Sequence, residues 1–175
     1  MAAYEKERQL ATYRAATAAN VVAAAGADIF FTLTGGTKDI IVRKLTLSGA
    51  TLTAVAYNSF VVEKFSTAAT GGTATALTKT PIDAKSAAST ATLCQVYTAA
   101  PTEGTLVGTV DCKRVLLQST TAAAGGIPDI VEFDFSNFDG GGIILRGSAQ
   151  GIGCAFGAAP ASAVTLGLSV EWQEL

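Results

Sequence analysis

The sequence predicts an all-β fold, a jelly-roll-like β-sandwich of about 8–10 antiparallel strands preceded by an N-terminal arm or short helix. Two observations carry this. The stretch Val164–Trp172 places Val164, Leu166, Leu168, Val170 and Trp172 at every second position, with Thr165, Gly167, Ser169 and Glu171 between them. Successive strand side chains point to opposite faces, so one face is apolar and the other small and polar; at helical spacing the same apolar residues would be smeared around the axis. Further β-prone runs recur along the chain, separated by Gly, Pro, Asn and Asp turn signals, as in a sandwich or barrel. No repeat or internal boundary interrupts them, so residues 21–175 read as one sandwich domain and residues 1–20 as an arm.

The elements follow in order. Tyr4 to Arg14 holds five charges and good helix formers but no apolar stripe. It is expected to fray, or to reach a neighbouring subunit with Tyr4, Leu10 and Tyr13 as partner contacts. Ile29, Phe31 and Leu33 alternate before Thr34-Gly35-Gly36-Thr37 breaks the run. Asp39 to Ser48 puts Leu45 and Leu47 on one face and Lys44, Thr46 and Ser48 on the other, and Ser48-Gly49 predicts a turn. Thr53 to Phe65 is a long β-prone run whose phase breaks near Asn58-Ser59, predicting a bulge there. Residues 66–91 are too polar and small-sided for core; a loop of that length is usually functional or disordered, and Ala74 to Lys79 predicts a short edge strand within it. Ala91 to Thr98 is a strand, and Leu106 to Gln118 one long strand or two short ones. Ile130 to Phe138 alternates Val131, Phe133 and Phe135 against Glu132, Asp134 and Ser136. Asp139-Gly-Gly-Gly turns the chain toward Ile143–Arg146 and the run Ile152, Cys154, Phe156.

The totals narrow the function classes. Charged residues are 15% of the 175, against roughly 25% in ordinary soluble domains. Such an apolar balance with no run fit to span a bilayer predicts surface buried against other subunits. Net charge is −2, with no basic block to bind nucleic acid. The charged N-terminus predicts no export signal. Cys94, Cys112 and Cys154 are odd in number and far apart, which fits reduced thiols better than a disulfide framework.

Catalytic chemistry finds little footing. Histidine is absent, which removes His triads, His general bases and His metal ligands together. Lys79 follows Thr78 where a phosphate-binding loop needs Gly, and Phe156 occupies the third-glycine position of a would-be dinucleotide fingerprint beginning at Gly151. Those glycines read instead as strand positions approached by another backbone. Glu132 and Asp134 share a strand face roughly 7 Å apart; that spacing would suit a carboxylate pair or, with Asp129, a calcium site, but they are read as an ordinary solvated face. The cysteines lack zinc spacing. The expectation is a non-enzyme with no catalytic residue, cofactor or metal.

Several segments together resemble a family of tailed-bacteriophage virion proteins: Asp28-Ile-Phe-Phe-Thr-Leu-Thr-Gly-Gly-Thr-Lys-Asp-Ile-Ile-Val-Arg-Lys-Leu-Thr-Leu-Ser-Gly, then Ser66-Thr-Ala-Ala-Thr-Gly-Gly-Thr with the Thr/Ala tract to Pro81, then Tyr97-Thr-Ala-Ala-Pro-Thr-Glu-Gly-Thr-Leu-Val-Gly, and finally Ile144-Leu-Arg-Gly-Ser-Ala-Gln-Gly with Leu168-Ser-Val-Glu-Trp. The resemblance covers most of residues 28–174, in order and phrasing. It implies a small β-sandwich component of the particle, a capsid decoration or cement protein that binds and stabilises the assembled head. Alternatives are a tail, baseplate or adhesin component, or a carbohydrate-binding module. Implied partners are the major capsid protein or other virion proteins and copies of the same chain, a trimer by likeness to jelly-roll decoration proteins, with neither nucleic acid nor membrane. The implied location is the virion, after synthesis in the host cytoplasm. Tyr4, Leu10 and Tyr13 precede the resembling segments, and the 66–91 loop is a second candidate contact.

Overall fold

A computed structural model describes residues 10–18, 21–23 (backbone only), 29–51, 55–119, 130–160 and 163–175. Among these residues there are thirteen strands and no helix: β1 (Ala11–Ala16), β2 (Val21–Ala23), β3 (Ile29–Thr34), β4 (Ile40–Thr51), β5 (Ala56–Phe65), β6 (Thr73–Ala76), β7 (Thr80–Pro81), β8 (Cys94–Ala99), β9 (Leu106–Leu117), β10 (Ile130–Asp134), β11 (Ile143–Leu145), β12 (Gly151–Phe156) and β13 (Val164–Glu174). They form two antiparallel sheets. The first runs β10-β4-β13-β1-β7, with β11 also on β4 and β2 also on β13; the second runs β6-β8-β3-β12-β5-β9.

The jelly roll becomes plain when β2, β6, β7, β8 and β11 are set aside. The eight strands left pair first with last (β1 with β13), then β3 with β12, β4 with β10 and β5 with β9, all antiparallel. That is one long hairpin ribbon. Rolling it up brings β13 beside β4 and β12 beside β5, which closes the two sheets. The segment between β5 and β9, at the tip of the ribbon, carries β6, β7 and β8. It crosses to the far side, adds β8 and β6 beyond β3, and lays β7 against β1.

The strand with the clearest pattern lies in the middle of its sheet. Along β13 the side chains alternate buried and half-buried throughout, and Trp172 is 0% exposed. Its inward residues meet Leu45, Leu47, Phe133 and Phe135 from the same sheet and Phe31, Leu33, Phe60, Val62, Ile152 and Phe156 from the other in one core. The outward face of the first sheet is polar and small. Across it Arg14, Glu171, Lys44 and Asp134 lie in register on β1, β13, β4 and β10, an alternating row of charge. A second, smaller cluster on the other sheet gathers Ile29, Phe65, Tyr97 and Ala155; there Thr32 Oγ1 and Tyr97 Oη lie 3.2 Å apart and share a hydrogen bond.

Three expectations need correction. Within the arm drawn over residues 1–20, Ala11–Ala16 is strand: it pairs with Ser169–Glu174 and makes part of the sandwich, while residues 1–9 lie outside the described residues. Good helix formers yield here to a partner strand whose apolar face must be covered. Ser48-Gly49 is not a turn, because β4 continues to Thr51. A Cβ on Gly49 would sit 2.4 Å from the Thr165 carbonyl oxygen, so the glycine permits close approach inside the sheet. The predicted bulge near Asn58-Ser59 lies further on: β5 and β9 shift register at Val62/Glu63 and Lys64/Phe65. Asn58 faces inward and is buried like an apolar residue, which misplaced the phase break.

Candidate functional site

Of the three residues proposed as partner contacts, two lie among the described residues. Tyr4 lies outside the described residues. Leu10 precedes β1 and is half-buried. Tyr13 is 1% exposed and stacks on Trp172 with ring centroids 5.9 Å apart. Its hydroxyl donates to the Ala87 carbonyl at 2.9 Å. Burial pushes the Tyr13 phenol pKa up, and the Glu174 carboxylate beside it adds to that. As a partner contact Tyr13 is therefore corrected: it is core, and no neighbouring molecule can reach its ring without unfolding the sheet.

Residues 77–93 form a strap along one side of the sandwich. Leu77 N–H donates to the Cys94 carbonyl on the second sheet, and Ile82 N–H donates to Thr12 on the first. Lys79 donates its ammonium to the Ala91 carbonyl. The strap is clamped by Glu174, 3% exposed at the end of β13. One carboxylate oxygen accepts from Ser89 Oγ at 2.6 Å and from Trp172 Nε1 at 3.3 Å, and the Thr90 N–H reaches both oxygens at 2.9 and 3.1 Å. The region that looks too polar for structure is thus hydrogen-bonded on to both sheets.

The opposite side, where β9 and β10 are the outer strands, is built differently. Two lysines span the gap between the sheets: Lys64 Nζ donates to the Ile144 carbonyl at 2.9 Å, and Lys113 Nζ donates to the Glu132 carbonyl while lying over the Phe133 ring. A cleft of about 710 Å³ opens beside Lys113, lined by Tyr57, Arg114, Leu116 and Ile130 among others. Tyr57 is 64% exposed and Ile130 72%. The Arg114 guanidinium lies 4.8 Å above the Tyr57 ring. A second cleft of about 720 Å³ lies toward Phe138, Ile144 and Arg146. Leu106 and Val107 on β9 are exposed, as is Val55 just before β5. Aromatic, aliphatic and arginine side chains held together at a surface are the composition of interface hot spots. Sequence pattern misses this patch because Tyr57 stands inside a run that otherwise reads as core.

The carboxylates offer no converging site. Glu132 pairs with Lys44 at 2.5 Å. Asp134 accepts from the Ser136 N–H at 2.8 Å, and hydrogen bonding by Ser136 holds its pKa below the usual carboxylate value. Asp129 lies outside the described residues. Among the described residues no three His, Cys, Asp or Glu side chains come close enough together to hold a metal ion. Cys94 and Cys154 are buried, and Cys112 is the exposed thiol. Phe133, Phe135 and Phe156 are core, whereas Phe138 is at the surface. Comparison with protein-family models, with curated proteins and with solved structures finds no match in any of the three.

Proposed function

We propose that this protein is a non-enzymatic structural component of a tailed-phage virion, a decoration or cement protein that binds the assembled head and reinforces contacts between capsomers. What supports the reading is the resemblance, in order and phrasing, of several segments covering most of residues 28–174 to virion proteins. The jelly roll is compatible with it: a compact sandwich with a small-sided polar face and one flank of exposed Tyr57, Arg114 and Ile130 suits docking rather than chemistry. Partners are the major capsid protein or another virion protein, with copies of the chain itself. Contacts repeated around a shell add up by avidity, so each can be weak.

The test is electron microscopy of purified particles carrying a tagged copy of the chain, with a heat challenge of particles that lack it. Density on heads, and heads that open at lower temperature without the protein, support the role. Density confined to tails removes the decoration role, and absence from particles removes the virion reading. Deletion of residues 2–9 tests the N-terminal contact; deletion as far as Ala16 would remove β1 and is expected to unfold the protein.

A further inference from the structure

We propose that β9 is a homodimer contact, pairing antiparallel with β9 of a second copy about a two-fold axis through Cys112. Among the described residues β9 pairs along its length with β5 alone, so its other edge is open. Such an edge is a template for another strand. The Cys112 N–H shows which way the ladder points. It donates to the carboxylate of its own neighbour Asp111, at 2.7 Å, and the register agrees: the Ser59 carbonyl faces away from β9 to accept the Gly157 N–H, so Phe60 and its partner Lys113 face one another and the Cys112 backbone faces away from β5. The Asp111 carboxylate oxygen stands where the carbonyl of an added strand would stand.

Charge selects the register. With the Cys112 N–H directed outward, Arg114 shares its direction, and two-fold pairing can centre on Cys112, Lys113 or Arg114. Centring on Lys113 or on Arg114 sets that cation directly opposite its own copy. Registers centred further along meet Gln118, whose carbonyl already accepts the Thr51 N–H. Centring on Cys112 places Asp111 opposite Lys113 of the second copy, twice over, and like charges nowhere in the central three residues. Opposite charges facing across a strand pair stabilise it and like charges oppose it. The contacts given up are Asp111 to its own backbone and Lys113 to the Glu132 carbonyl and the Phe133 ring; both hydrogen bonds are solvent-exposed, so little is lost in the exchange. The two register shifts in the Val62–Phe65 region of β5 bend the first half of β9, which confines pairing to a short segment about Cys112. Exposed Tyr57 and Arg114 flank that segment and extend the contact. This inference is independent of the virion reading, and its test needs no particle.

The test uses the full chain and its one exposed cysteine. In such a pair the two Cys112 Cα atoms would lie about 5.5 Å apart, within disulfide reach. Light scattering across a concentration series should show a dimer, and mild oxidation with diamide should convert it to a covalent dimer that Cys112→Ser abolishes. Asp111→Lys and Lys113→Asp should each weaken self-association by about tenfold or more, and the double exchange should restore it. Melting temperatures of all three variants check that they fold. A monomer at every concentration, a trimer, a thiol at Cys112 that oxidises without cross-linking, or a double exchange no tighter than the singles would each overturn the proposal.

Discussion

Replacing Glu174 by Ala removes the clamp on the strap and isolates its energetic contribution. Three donors converge on that carboxylate: Ser89 Oγ, the Thr90 N–H and Trp172 Nε1. The Ser89 hydroxyl can rotate to another acceptor, but the Thr90 amide and the Trp172 ring nitrogen cannot. The buried Trp172 Nε1 left unmatched costs about 2 kcal/mol, and the half-buried Thr90 amide, which water can reach, about 1 kcal/mol more, roughly 3 kcal/mol together. At roughly 2–4 °C per kcal/mol for a chain of this size, the melting temperature should fall by about 6–12 °C. Glu174→Gln keeps an acceptor oxygen and should lose about half as much. Calorimetry gives the global figure, and amide hydrogen exchange gives the local one: protection at Thr90 should collapse while the β13 amides keep most of theirs. A Glu174→Ala protein that melts within about 2 °C of the parent, with Thr90 still protected, would refute the clamp.

Trp172→Ala should destabilise by about 3–5 kcal/mol, because the ring is fully buried and stacked on Tyr13; an emission maximum typical of solvent-exposed indole in the folded parent would contradict that. Alkaline pH should also weaken the fold. Burial pushes the Cys94 thiol up to about 12 from an ordinary 9.0, and raises Cys154 and Tyr13 above their ordinary 9.0 and 10.0. The folded state therefore holds these protons more tightly than the unfolded one, so their contribution to stability is constant below about pH 9 and is lost as the pH rises above it. Each buried thiol contributes a loss of about 1.4 kcal/mol per pH unit until its folded pKa is passed. Denaturant unfolding at pH 8, 9.5 and 10.5 measures the slope, and the Cys94→Ala, Cys154→Ala double variant should flatten most of it; an unchanged slope in that variant would exclude the thiols as its source.

Alternation made the strands legible where one face meets the core and the other meets water. Val164–Trp172 and Ile130–Asp134 read directly for that reason. β3 and β12 are buried on both faces and show no alternation in burial at all; the every-second-residue spacing of Ile29, Phe31 and Leu33 and of Ile152, Cys154 and Phe156 marked them as strands but not as buried on both sides. Glycine was ambiguous in the other direction. Gly140 and Gly141 adopt positive φ, as a turn demands, while Gly49 sits mid-strand because a neighbouring carbonyl leaves no room for a Cβ. The strap was illegible because its stability comes from long-range hydrogen bonds to Glu174, Thr12 and Cys94, which leave no periodic trace. Tyr13 shows the limit most sharply. Before the sheet is assembled, an aromatic in a charged N-terminal segment reads as an anchor for someone else; pairing of β1 with β13 turns it inward on to Trp172.

The two long sides of the sandwich have opposite characters, and the ribbon explains why. Its ends, β1 and β13, lie in one sheet beside β7, and the segment inserted at its tip returns to that same side. There the strap covers the β1 edge and the carboxylate near the end of β13 ties it down. Among the described residues, the β9 and β10 side carries only the short β11 beside β10 on β4, and Lys64 and Lys113 bridge it from sheet to sheet, with Tyr57, Ile130 and Phe138 left at the surface. Exposed apolar and aromatic side chains are thus concentrated on the flank whose strand edges are open. Among the described residues the longest insertion covers one edge and the outer edge of β9 pairs with no strand, so one flank is built for stability and the other is available for contact.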